Sequence, residues 1–101
     1  TLTSGANTIP GADINADADG TIGTSQFALA GTETGGGAMS ADYDAATPNW
    51  DFVASTVTTI ASASSATSSS SIAMEYLANT SSAQAAGTYV TTLDYVATGN
   101  F

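Results

Sequence analysis

Apolar and polar residues alternate most regularly at the end of the chain, over residues 86–101. Tyr89, Thr91, Leu93, Tyr95 and Ala97 fall on one side of an extended backbone. Val90, Thr92, Asp94 and Val96 fall on the other, with Gly87 and Gly99 at the ends. Both sides carry apolar residues, so the pattern predicts a central strand with neighbours on each side. A second strand is predicted over residues 49–60, with Trp50 and Phe52 on one face and Asp51, Val53 and Val57 on the other. The β-branched run from Thr56 to Ile60 favours strand over helix there. Two shorter strands are expected. Residues 24–30 place Phe27 and Leu29 on one face and end at Gly31, and residues 71–77 turn Ile72, Met74 and Tyr76 inward with Ala73 and Glu75 outward.

The connections follow from what lies between. Leu2 and Ile9 in a polar background make residues 1–10 an edge strand or a strand donated to a neighbour's sheet, ended by the Pro10-Gly11 turn. Residues 31–48 read as a long loop with Gly35-Gly36-Gly37 at its most flexible point, and residues 61–71 as a Ser/Ala-rich loop. Residues 78–86 then join the last two strands in an antiparallel hairpin, letting Tyr76 pack against Tyr89 or Tyr95, and Phe101 is exposed unless something covers it. Short strands, Gly- and Ser-rich turns and no convincing helix predict an all-β fold. The expected form is one antiparallel β-sandwich domain, residues 1–101, with immunoglobulin-like organisation.

Composition narrows the function. The chain has no Lys, Arg, His or Cys, and nine acids give it a formal charge of -9. Without cations to neutralise phosphates it is not suited to nucleic acid or to anionic membranes. No apolar run approaches the roughly eighteen residues of a membrane-spanning helix. Without Cys there is neither a disulfide framework nor a zinc site of the usual kind. Abundant Ser and Thr have no His or Lys to activate them, so an enzyme is not expected. The Ser/Thr/Ala/Gly-rich, base-free composition favours an extracellular or cell-surface setting, and an acidic halophile protein shares it. Leu, Ile, Val and Phe total 16 of 101 residues, below the roughly one-fifth that separates folded from disordered chains at high net charge. A core so lean is expected to draw cover from copies of the same chain.

One constellation suggests a metal. Asp13, Asn15, Asp17 and Asp19 precede Gly20 at every second position, a spacing that can converge oxygen ligands on Ca2+ and relieve repulsion between the carboxylates. Asn15-x-Asp17-x-Asp19-Gly20 resembles the start of the calcium loop of EF-hands and dockerin-like repeats. That resemblance implies Asn15, Asp17, Asp19 and the Thr21 carbonyl as ligands, with Ile22 at the family's apolar position. Gln26 stands where the family has a bidentate Glu, and Pro10-Gly11 removes the entering helix. The competing reading is a solvated acidic face with Ile14, Ala16 and Ala18 inward.

Tyr43 and Trp50, near Asp42, Asp44 and Asp51, are the candidates for a glycan-stacking surface, although a Trp on a period-two strand is more often core. Asn79-Thr80-Ser81 matches the glycosylation sequon and falls in the expected connection. The closing stretch Ala86 to Thr98 resembles the last strand of small β-sandwich domains in bacterial surface proteins, of the WxL, pilus or surface-layer kind. Phe52 replaces the Leu that a WxL motif would require after Trp50. The resemblance implies a β fold at a cell surface. The expected function is a structural subunit of a filament, pilus or surface layer built by strand donation or lateral β packing. The alternative is a calcium-supported adhesin or glycan-binding module.

Overall fold

The computed structural model describes residues 1–66 and 69–99. The expectation for Phe101, and residues 67–68 of the Ser/Ala-rich loop, lie outside them. The chain is all-β, with antiparallel strand pairs and, among the described residues, one 3₁₀ turn at Ala41–Tyr43 as its helical element.

Its organising strand is β3, Gln26–Gly35, which pairs antiparallel with β6, Ser70–Asn79, from Gln26 opposite Asn79 to Gly35 opposite Ser70. The near-continuous apolar run Phe27-Ala28-Leu29-Ala30 suits a strand buried on both faces, and residues 26–31 are buried throughout. Ala28 and Ala30 are small enough to let Ile14 and Trp50 pack directly on one face, with Ala12, Ala45 and Leu77 around them. Phe27 and Leu29 point the other way, and Phe27 meets Phe52 edge-on at 5.0 Å between ring centroids. The strand does not close at Gly31 as expected. Gly31 lies beneath Met39 and Ile72, and the ladder runs on to Gly35 because Thr32, Glu33 and Thr34 find partners in β6.

The β3 edge opposite β6 is shared by three short segments. Phe27 N–H donates to Pro10 O at 2.8 Å and Phe27 O accepts from Ala12 N–H at 3.0 Å. Leu29 and Asp51 exchange bonds at 3.1 Å, and Gly31 O accepts from Ala45 N–H at 3.0 Å. Ile14 and Trp50 also exchange bonds, so Trp50-Asp51-Phe52 runs between residues 12–14 and β3.

The remaining pairs are small. β1, Leu2–Ser4, and β2, Asn7–Ile9, form a hairpin, so the N-terminal residues pair with each other. β4, Ala38–Met39, pairs with β5, Ala61–Ser62, inside regions expected to be loop.

Two expected strands form no ladder. After Trp50 and Asp51 the chain turns at Ala54-Ser55, where Ser55 is left-handed at φ 58. Residues 56–59 then run exposed outside every ladder, tied by bonds from Ser40 to Thr59 O and Ile60 O and by Tyr43 to Thr58 Oγ1. The closing residues 86–99 do not form a hairpin with β6. Val90 exchanges two 2.9 Å bonds with Thr3, and residues 91–99 join no ladder. Alternation makes a segment fit for a sheet, but strands are stable only where a partner lies alongside. Tyr76 and Tyr95 do meet, hydroxyl to hydroxyl at 2.9 Å.

The molecule measures 48 × 26 × 17 Å with a radius of gyration of 15.0 Å, against about 13 Å for a compact chain of this length. Among the described residues, two small two-stranded pairs accompany the central one.

Candidate functional site

The acidic loop is held by bonds internal to the chain. Asn15 Nδ2 donates to Asp13 Oδ1 at 2.8 Å, and Asp17 Oδ1 accepts Asp19 N–H at 3.1 Å in a local turn. Ala16 between them is left-handed at φ 54, supported by its N–H donating to Asn49 Oδ1 at 2.9 Å. A left-handed residue reverses the local chain direction, so side chains two apart no longer point the same way. Thr21 O accepts a turn bond from Thr24 N–H at 3.2 Å. Among the described residues no three acidic side chains gather closely enough to hold a metal ion.

The loop closes on the residue that stands where the calcium-loop resemblance would have a bidentate Glu. Gln26 is buried, and its Oε1 accepts Thr21 N–H at 2.9 Å, while Asn79 Nδ2 donates to Asp19 O at 2.7 Å. These two face each other across β3 and β6 and clamp both sides of Gly20. Gly20 has φ 63, and a Cβ there would come within 3.0 Å of Gln26 and 3.1 Å of Asn79, so both conformation and space call for glycine. The sequence signal for the clamp was a polar Gln at the head of an apolar run. Gln26→Leu keeps the volume and removes the acceptor. It is expected to lower stability by about 1 kcal/mol, read as a lower urea midpoint with unchanged slope and faster amide exchange at Thr21; an unchanged Thr21 exchange rate contradicts the clamp.

Asn79 of the sequon is the last residue of β6, not a free loop residue, and its amide is already engaged with Asp19.

Tyr43 and Trp50 do not form a stacking surface, because both are buried. Tyr43 follows from the 3₁₀ turn inward, donates its hydroxyl to Asp51 Oδ2 at 3.0 Å and shares a 3.0 Å bond with Thr58 Oγ1. Burial pushes its pKa above the ordinary tyrosine value, the Thr58 bond opposes that, and the Asp51 carboxylate adds to it. Trp50 belongs to the core cluster, and its Nε1 has no hydrogen-bond partner among the described residues. Asp44 is used in a turn, its Oδ1 accepting Ala46 N–H at 2.9 Å. Asp13 and Asp51 line an open depression beside Phe52 and Pro10.

The more conspicuous surface is unpaired β structure. Val57 is fully exposed, Val96 87 % exposed, and Tyr76 and Tyr95 each 52 % exposed. Burial and the Tyr76 hydroxyl raise the Tyr95 pKa to about 12. β3 occupies one edge of β6, and no described segment pairs with the other. No family model matches the chain, and neither a curated protein nor a solved structure matches it. Among the described residues no helix is long and apolar enough to cross a membrane.

Proposed function

We propose that the chain is a structural subunit of an extracellular assembly, a filament, pilus or surface layer, built by strand donation or lateral β packing between copies. The observation that carries this reading is uncovered surface. The accessible area is 6298 Å² for a 9.9 kDa chain, whereas size scaling gives about 5,200 Å² for a folded monomer of that mass. The difference, about 1,000 Å², is of the order that one partner buries in a standard interface. Exposed Val57, Val90, Tyr95 and Val96 lie in extended segments with strand composition, so the area is of a kind that β packing covers. Added strands would complete the small pairs as an antiparallel sandwich of immunoglobulin-like organisation.

Electron microscopy of the purified chain at rising concentration, with calcium and with a chelator, tests the proposal. Ordered filaments or arrays are expected in both conditions. A monodisperse monomer at the highest concentration would overturn it.

A further inference from the structure

We infer that residues 91–99 of one copy add as a strand to the open edge of β6 in a second copy. This rests on the assembly reading above and names its donor and acceptor. The acceptor follows from ladder alternation. Phe27, Leu29 and Gly31 direct their backbone bonds to the β3 edge away from β6, so Ala28 and Ala30 bond toward β6, opposite Leu77 and Glu75. The N–H and C=O groups of Ile72, Met74 and Tyr76 therefore point out of the sheet, where no described backbone group meets them. An edge of this length with apolar side chains is a template for an added strand.

The donor is in the same sequence. Residues 91–99 have period-two alternation and join no ladder. Within its own copy the segment reaches β6 through the Tyr76–Tyr95 hydroxyl bond at 2.9 Å but forms no backbone pair with it. Ser81 N–H donates to Ser25 Oγ at 3.0 Å, Gln84 Nε2 donates to Thr8 O at 3.3 Å, and Val90 is fixed to Thr3. These bonds carry the chain past the start of β3 to the β1–β2 hairpin, which leads into Pro10–Ala12 on the β3 edge opposite β6. A hairpin with β6 in the same copy would break the Thr3–Val90 pair.

Charge favours the same contact between copies. Each carries -9 with no base to offset it, so copies can approach only through surfaces poor in acid. Glu75 is the one acid on β6 and Asp94 the one acid in residues 91–99. Because donor and acceptor are different surfaces, each copy can both give and receive a strand, which lets the contact propagate head-to-tail from copy to copy.

Sedimentation velocity of the full chain over a concentration series tests this, alongside Val96→Pro in the donor and Ile72→Glu at the acceptor. Val96 is exposed and outside every ladder, so its variant should keep the circular dichroism spectrum and melting midpoint of the parent. Both variants should associate at least about tenfold more weakly, from the lost strand donor and the added like charge. Excess synthetic peptide of residues 91–99 should shorten the parent's assemblies. If the parent associates and both variants associate equally well, the donor and acceptor assignment fails while the assembly reading stands. A parent that stays monomeric at every concentration overturns both. Should Ile72→Glu fail to fold, Val96→Pro and the peptide still decide.

Discussion

Phe27→Ala should cost about 3–5 kcal/mol, the range for removing a buried aromatic, and that is enough to unfold much of the population. Phe27 is on the strand buried on both faces, packs edge-on against Phe52, and sits where Pro10 and Ala12 bond to β3. A domain of this size has on the order of 5–15 kcal/mol in total, and among the described residues none of the large side chains is completely sealed from solvent, so the total should fall toward the low end. The measurement is urea denaturation followed by Trp50 fluorescence. A loss of most of the cooperative transition is expected, whereas Val57→Ala, at a fully exposed position, should leave the midpoint in place. Near-equal midpoints for the two variants would show that the core does not centre on β3.

Gly11→Ala should be almost as damaging, although it adds only one methyl group. A Cβ at residue 11 would collide with the carbonyl oxygen of Phe52 and approach the Phe52 ring at 2.8 Å. The main obstacle is backbone, which cannot swing away as a side-chain end can. Relief requires residues 10–12 to move off the edge of β3, breaking the Pro10 and Ala12 bonds to Phe27 and the 3.0 Å bond from Phe52 N–H to Ala12 O. Overpacking of this kind costs about 1–3 kcal/mol, with the lost bonds in addition. Hydrogen exchange gives the specific readout: the Phe27, Ala12 and Phe52 amides should lose protection together, while those of the distal β3–β6 ladder keep it. Unchanged protection at all three would mean that the crossing is looser than its geometry states.

Both strands of the central ladder were legible, from the period of residues 24–30 and 71–77, but their pairing was not. The face of 71–77 expected inward leaves Ile72 and Tyr76 exposed, while Leu77 packs on the core. The strands expected at 49–60 and 86–101 have equally good alternation, yet Val57 and Val96 lie in the open. A side-chain period records compatibility with a sheet, while pairing depends on which distant segment reaches the edge first and on turns such as the left-handed Ser55. The hairpin between the last two strands failed for that reason: among the described residues one edge of β6 is open, but the closing segment pairs at Val90 with Thr3 instead. At the acidic loop the turn was legible from Asp-x-Asp-Gly chemistry. Its side-chain directions were not, because they depend on the left-handed Ala16, a residue with no local reason to adopt that conformation. For Trp50 the pattern leaves stacking and core as competing readings, and the residue is buried in the core. The burial of Tyr43 was not legible, because it depends on reaching Asp51 and Thr58 from a 3₁₀ turn that apolar periodicity does not encode.

The register of the central ladder has a kinetic consequence. Its nearest paired residues are Gly35 and Ser70 and its farthest are Gln26 and Asn79, so no local hairpin can start it. Long loops must close before any of those contacts forms, and topologies of this kind fold on roughly the millisecond-to-second scale. During that interval the apolar run from Phe27 to Ala30, the most sealed part of the finished molecule, is bare on both faces. A nascent chain therefore displays this strand well before β6 exists, and the ladder that covers one of its edges can be completed only after residue 79 has appeared. Dilution or a holding chaperone should raise the yield of refolding more than added denaturant-free time does.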